Sequence, residues 1–211
     1  MISIVHPARR WAACLLAAWG AAAPAQEPSF PDRDAAIAGL YPGEAVMQAE
    51  AGDLDGDGRP DVVVTLSPAR SGDGKDDVGP LLRVVVFRTT ADGRLQRWVA
   101  TGAVEECHHN TLLTVERGSI FLGCAHHLGL HGGENFSQRL QFAQRRGTLR
   151  LIGDNTESIE DMNGPNERYA TTTRNLLTGE VVERPYRGRE RRHVEPDSRA
   201  LATPLADWQG W

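Results

Sequence analysis

Short runs of β-branched and apolar residues, separated by glycine-containing turns, are the feature that most constrains the fold of this chain. Runs of this length are typical of strands, and neighbouring strands joined by tight turns pair antiparallel. The 22 glycines and 12 prolines supply the turns. The sequence therefore predicts an all-β fold, mainly an antiparallel meander, with a minor helix over Ala35–Leu40 near the N-terminus. The expected strands are Val46–Ala51, Asp61–Ser67, Leu81–Thr89, Leu95–Thr101, Leu112–Glu116, Ser119–Ala125, Phe136–Gln144, Thr148–Gly153, Tyr169–Asn175 and Glu180–Arg184.

The segment Phe136–Phe142 carries the clearest strand periodicity. Its apolar residues recur at every second position except at Gln138, and polar residues stand between them. Because successive strand side chains point to opposite faces, the pattern predicts a sheet with one face on the core and one in water. The expected inner residues are Phe136, Leu140 and Phe142, and the expected outer residues are Ser137, Arg139 and Gln141.

The N-terminal segment Met1–Ala25 has the pattern of a secretory signal peptide. Arg9 and Arg10 give a positive start, a short apolar stretch follows, and Ala23-Pro24-Ala25 is a small-x-small cleavage site. No other apolar run approaches the roughly 20 residues that a membrane span needs. We therefore expect a periplasmic or secreted protein with no transmembrane anchor after signal cleavage.

Length and charge bound the rest of the chain. After the signal peptide (1–25), we expect a single β-rich domain over 26–187 and a loosely ordered C-terminal tail over 188–211. The formal net charge is −5. A nucleic-acid partner would require a basic surface, so this charge argues against one. The expected partner is an unidentified protein or glycan ligand.

An aspartate- and glycine-rich loop, Asp53–Asp61, is the most informative motif. Carboxylates stand at loop positions 1, 3, 5 and 9, with glycines at positions 4 and 6. Ca²⁺ takes six to eight oxygen ligands, and glycines allow a short loop to turn alternate carboxylates inward. An EF-hand needs a Glu at position 12, where this chain has Val64, and a β-branched run replaces the helix that would follow. The predicted calcium ligands are Asp53, Asp55, Asp57, Asp61 and the Arg59 carbonyl.

The segment Gly52–Asp61, followed by Val62-Val63-Val64, resembles the calcium loop of FG-GAP and VCBS-type repeats, which form the blades of integrin α-subunit propellers. The resemblance implies that the loop joins two antiparallel strands and that its aspartates and one carbonyl hold the ion. A propeller needs at least about four blades. Because the loop occurs once, the resemblance implies partial, propeller-like blades.

The region Leu40–Arg187 also resembles a group of small exported bacterial proteins of unknown function. The shared motifs are one such loop and the short segments His131-Gly132-Gly133, Leu151-Ile152-Gly153 and Leu177-Thr178-Gly179. This resemblance implies export but no particular activity.

Two cysteines remain once Cys14 is removed with the signal peptide. An even pair in an exported protein is most simply a disulfide, so we expect a bond between Cys107 and Cys124. Closing this loop is worth on the order of 3 kcal/mol in the chain-entropy model. A transition-metal site that uses the cysteines is the alternative.

Histidines cluster around the two cysteines, within 107–131. This composition suits Zn²⁺ or Cu²⁺, although the spacing matches no standard metal motif. The leading interpretation is ordinary polar histidines beside a disulfide. The alternative is a metal site formed by His108, His126 and His131.

Two functions follow from these motifs. The first is an exported calcium-binding β-domain that acts as a binding or structural module, with no enzymatic activity identified. The alternative is an exported zinc- or copper-dependent enzyme, a hydrolase, that uses His108, His126 and His131. The sequence carries no nucleophile-elbow, zincin or Walker motif that would support catalysis.

Overall fold

The computed structural model describes residues 27–68, 81–107, 111–127, 135–160 and 168–211. The expected signal peptide, Met1–Ala25, lies outside them. The described strands form two sheets. Sheet A contains β1 (Ser29–Phe30), β2 (Ala45–Gly52), β3 (Asp61–Ser67), β4 (Leu81–Thr89), β5 (Leu95–Ala100) and β6 (Val104–Glu105). Sheet B contains β7 (Leu112–Glu116), β8 (Ser119–His127), β9 (Asn135–Arg145), β10 (Thr148–Glu160), β11 (Arg168–Asn175), β12 (Glu180–Arg184) and β13 (Arg191–Val194).

Both sheets are antiparallel, and most neighbouring strands are also consecutive in the chain. Sheet B runs in chain order from β7 to β13, and sheet A has the order β1-β5-β4-β3-β2 with β6 paired to β4. The predicted all-β, mainly antiparallel meander is confirmed. The expected propeller-like blades are not what the described strands form, because sheets of six and seven strands replace four-stranded blades.

The central strands of sheet A, β3 and β4, are buried on both faces. Adjacent residues of β3 enter different clusters: Val63 packs with Val84 and Val86 in the core shared with sheet B, whereas Val64 packs with Phe87 on the opposite face. This is why β3 and β4 read as continuous apolar runs rather than as alternating ones.

The helix α1 (Arg33–Leu40) covers that opposite face of sheet A. Asp32 caps its N-terminus, and Asp32 Oδ1 accepts the Ala35 N–H at 2.8 Å. Ala36 and Ile37 of the helix are buried against the sheet. The expected helix is therefore present and begins two residues earlier than predicted. Within the described residues, no helix is long and apolar enough to cross a membrane.

Sheet B is buried on one face only. Leu140 and Phe142 lie in the core, whereas Arg139 between them is exposed and Gln141 is half-buried. The predicted alternation in β9 is confirmed at these positions. The side chain of Phe136 lies outside the described residues.

Three contacts fix sheet A against sheet B. The Gln48 amide of β2 donates to the Thr111 carbonyl and accepts the Leu113 N–H, both at 2.6 Å. Gly52 lies so close to Val115 that an added Cβ would stand 2.5 Å from a methyl group. The predicted disulfide between Cys107 and Cys124 is present, with a Cα–Cα distance of 5.6 Å, and it joins the end of sheet A to β8.

The segment 188–211, for which a loosely ordered tail is expected, contains secondary structure and packs on sheet B. It contributes β13 and two 3₁₀ helices, Pro196–Leu201 and Leu205–Asp207. Leu205 is fully buried, and Trp208 packs against Phe142 with ring centroids 5.8 Å apart. The sequence pattern did not predict the burial of Leu205 and Trp208, because isolated apolar residues among charges and prolines show no strand or helix periodicity.

Candidate metal centre

The Asp53–Asp61 loop connects β2 to β3 at one end of sheet A. Gly56 and Gly58 have positive φ angles of 81° and 83°, which glycine adopts without strain. Leu54, near the start of the loop, is 3% exposed, and its side chain belongs to the core shared by the two sheets. The loop is therefore anchored by an apolar side chain and turned by two glycines.

Asp53 organises the loop through backbone hydrogen bonds. Its Oδ1 accepts the N–H groups of Gly56 (2.7 Å) and Asp57 (3.1 Å), and its Oδ2 accepts the N–H of Gly58 (2.9 Å). These bonds, that from Gly58 above all, lower the pKa of Asp53 below its ordinary value. Asp53 is therefore ionised and fixed in place at neutral pH.

Asp61 is the buried member of the loop. Its side chain is fully buried, and it accepts the N–H groups of Leu54 (3.1 Å) and Thr89 (3.0 Å). Burial raises the pKa of Asp61, and the charge of Asp55 adds to that increase, while the two hydrogen bonds oppose it. A nearby cation would stabilise the charged form that burial disfavours.

The loop brings three carboxylates to one point. Asp53, Asp55 and Asp61 each offer an oxygen, and these three oxygens all lie within 4.8 Å of one another. Ligands of one Ca²⁺ lie at about 2.3–2.6 Å, so two of them are at most about 5 Å apart. The three aspartates could therefore hold a single metal ion.

Asp57 lies outside this group. Its Oδ2 is paired with the guanidinium of Arg59, and its Oδ1 accepts the Arg59 N–H at 2.8 Å. Arg59 Nε also donates to the Thr89 carbonyl at 3.1 Å. The structure thus brings together three of the four predicted aspartates, and the predicted role of the Arg59 carbonyl remains a prediction.

The positively charged side chain of Arg88, on β4 of sheet A, lies beside the three carboxylates. Arg88 Nε lies 2.9 Å from Asp55 Oδ2, and the Arg88 guanidinium stacks on the ring of Trp98 at 4.2 Å from its centroid. Sequence reasoning missed Arg88 because it stands on β4, far along the chain from the loop, and nothing in the local pattern connects the two.

The histidine alternative falls mostly outside the described residues. His108 and His131 are not described, and His126 is described only as a backbone position in β8. The disulfide occupies both cysteine sulfurs, so Cys107 and Cys124 are not ligands of a metal in this state. The histidine site remains an untested prediction.

Comparison with protein-family models, with curated proteins and with solved structures found no match to this chain. The resemblance of the loop to FG-GAP and VCBS-type repeats therefore remains a prediction.

Proposed function

We propose that this chain is an exported β-domain that binds Ca²⁺ at the Asp53–Asp61 loop and acts as a binding or structural module. The observation that carries the proposal is the convergence of the Asp53, Asp55 and Asp61 oxygens within 4.8 Å. The implied ligand set contains only oxygen, which suits a hard cation rather than the nitrogen and sulfur sites preferred by zinc or copper.

The charge around the three oxygens supports a divalent ion. Asp53, Asp55 and Asp61 carry three negative charges when ionised, and Arg88 contributes one positive charge at Asp55. The pair formed by Asp57 and Arg59 is internally neutral. The remaining double negative charge equals that of one Ca²⁺ ion in magnitude. Without a cation, the three clustered carboxylates repel one another.

The position of the loop supports a structural role for the ion. Asp53 and Asp55 follow β2, Asp61 begins β3, and Asp61 accepts the N–H of Thr89 at the end of β4. One ion would therefore hold the ends of three neighbouring strands of sheet A. The sequence pattern of Met1–Ala25 and the disulfide support export to a periplasmic or extracellular compartment, where disulfides persist.

Thermal unfolding of the protein in calcium and in chelator tests the proposal. Extracellular calcium modules bind at roughly 10⁻⁴–10⁻³ M, so 1 mM calcium and a dissociation constant near 10⁻⁴ M would add about 1.4 kcal/mol. We expect the melting temperature to fall by several degrees in chelator. Asp55→Asn should remove this difference, whereas Asp57→Asn, in the same loop but outside the converging group, should retain most of it.

Two results would contradict the proposal. Identical melting curves in calcium and in chelator would show that the loop is a polar turn that binds no stabilising calcium. Stoichiometric zinc or copper that survives dialysis, with no calcium effect, would instead support the hydrolase alternative at His108, His126 and His131.

A further inference from the structure

A row of directly paired residues crosses the outer face of sheet B, and one residue of the row is a glycine. Phe121 of β8 pairs with Gln141 of β9, Gln141 with Gly153 of β10, and Gly153 with Asn175 of β11. Directly paired residues point to the same face of a sheet. The glycine therefore leaves a hollow between Gln141 and Asn175, and a cleft of about 400 Å³ opens there.

A β-bulge shapes this hollow. The register between β9 and β10 shifts between Leu151 and Gly153, so Ile152 has no partner opposite it and becomes part of the cleft wall. A Cβ on Gly153 would stand 3.2 Å from Gln141 Oε1, so the Gln141 side chain lies against the glycine and forms one wall of the cleft. Bulges of this kind redirect strands next to binding sites.

The cleft is basic although the chain is acidic. Arg139, Arg145 and Arg174 line it with one acid, Asp154, whereas the whole chain has a net charge of −5. Asp154 is already engaged, since its Oδ2 lies 3.3 Å from Arg174 Nη1. The surplus positive charge therefore belongs to Arg139 and Arg145, which lie on either side of Gln141 along β9 and share its face.

Arg139 is held ready for an anion. Its guanidinium stacks on Phe121 at 4.0 Å from the ring centroid, which fixes its plane, and its Nη2 donates to Thr114 Oγ1 at 3.3 Å, so the remaining N–H groups are available to a ligand. Its carboxylate neighbour, Glu116, is 3.9 Å away and more than half exposed, so the pair is weak. Among the described residues, Arg145 has no carboxylate within ion-pair distance.

A second row supplies uncharged hydrogen-bonding groups. Arg139 pairs with Asn155 of β10, and Asn155 pairs with Thr173 of β11. Thr173 Oγ1 donates to Asn155 Oδ1 at 2.7 Å, which leaves the Asn155 amide N–H groups free to donate. Amides and hydroxyls beside an arginine suit a ligand that carries hydroxyl groups as well as an anion.

From this arrangement we infer that the cleft around Gly153 binds an acidic sugar, with a carboxylate on Arg139 and hydroxyls on Gln141 Oε1, Asn155 and Thr173, since Gln141 Nε2 already donates to Ser119. Ile152 is almost fully buried, so the half-buried Phe121 ring offers the apolar surface for the C–H groups of a sugar ring. The inference does not depend on calcium, because none of these residues belongs to the Asp53–Asp61 loop.

Isothermal titration calorimetry with galacturonate oligomers tests this inference. Neutral galactose oligomers of the same length serve as the ligand control. We expect the acidic oligomer to bind and the neutral one to bind at least about tenfold more weakly. A hydrogen bond to a charged group contributes more than the roughly 1.4 kcal/mol that corresponds to a tenfold change in affinity. Arg139→Gln should weaken binding of the acidic oligomer by about tenfold or more.

Two further variants separate the cleft from general surface charge. Gly153→Val fills the hollow while keeping a residue type that strands favour, and it should abolish binding. Arg191→Gln removes an arginine of β13 that lies outside the cleft and pairs with Glu183, and it should leave binding unchanged. Unfolding curves of each variant show whether the fold is kept.

The outcomes are distinct from those of the calcium proposal. The titrations are run in calcium and in chelator, and we expect equal affinity in both. Absence of binding by the acidic oligomer, or equal loss in Arg191→Gln and Arg139→Gln, would overturn the inference. Binding of inorganic sulfate or phosphate as strong as that of the oligomer would show a simple oxyanion site and overturn the sugar assignment.

Discussion

Sheet A and sheet B are both antiparallel, but they expose different amounts of surface. Sheet A lies between α1 on one face and sheet B on the other, so Val63 and Val64 are both fully buried. Sheet B places Phe142 in the core and Arg139 in water on the same strand. The central strands β3 and β4 of the first sheet are therefore packed on both sides, and the second sheet keeps one face free.

This difference separates the two candidate sites of the molecule. The carboxylates of the Asp53–Asp61 loop lie at the end of the doubly buried sheet, where strand ends are fixed and an ion can be held by a rigid set of oxygens. The cleft at Gly153 lies on the free face, where side chains are available to a ligand. Burial on both faces favours a structural ion, and burial on one face favours recognition.

Replacing one phenylalanine by alanine on each sheet tests the difference in burial between the sheets, and it has the largest expected effect on the free energy of unfolding. Phe87 is fully buried on sheet A, and Phe87→Ala should lower the free energy of unfolding by about 3–5 kcal/mol. Phe121 on the open face of sheet B is half-buried and stacked by Arg139, and Phe121→Ala should cost about 1 kcal/mol. Urea unfolding measures both, and equal losses would refute the assignment of different burial.

The disulfide tests how strongly the two sheets depend on each other. Cys107 and Cys124 are 17 residues apart in sequence, and their bond joins the end of sheet A to β8. Replacing both by serine should lower the free energy of unfolding by about 3 kcal/mol, because the unfolded chain loses its cross-link. Thiol titration of the unfolded, unreduced mature protein, which lacks Cys14, should find no free thiol, and two free thiols would contradict the bond.

Arg88 allows the metal site of sheet A to be sharpened. Its guanidinium lies at Asp55 and competes with any bound cation for that carboxylate. Arg88→Met keeps an unbranched side chain against Trp98 and removes the charge, so calcium affinity should rise by about tenfold, or roughly 1.4 kcal/mol. Calorimetric titration of calcium measures this change. Unchanged or weaker binding would show that Arg88 does not oppose the ion.

Glu106 lies in the segment that passes from sheet A to sheet B. Its substitution has the smallest expected effect on the free energy of unfolding. Burial raises the pKa of Glu106 above its ordinary value, while a bond from the Thr111 backbone opposes the increase. A raised pKa contributes stability below the unfolded pKa, and this contribution is lost as pH rises through the folded pKa. Glu106→Gln should therefore be more stable at neutral pH, by about 0.5 kcal/mol, with a flatter dependence on pH. Chemical unfolding at pH 4 and pH 7 tests this, and a steeper dependence would contradict the shift.

Local pattern predicted much of sheet A and part of sheet B. The bounds of β3 and β4 agree with the predicted runs, because β-branched residues between turn signals mark strands directly. The strand β10 continues to Glu160, well beyond the predicted end at Gly153. Its second half is polar, and pairing with β9 and β11 on both edges, rather than apolar periodicity, makes it a strand.

The sequence by itself determined the all-β class, the turn positions, the disulfide pair and the carboxylates of the Asp53–Asp61 loop, because each depends on residues that are close in the chain or few in number. The tertiary structure decided that Arg88 lies at Asp55, that Gly153 opens a cleft on sheet B, and that Trp208 fixes the tail on Phe142. Strand register and burial between distant segments set these contacts, and local residue spacing carries no record of either.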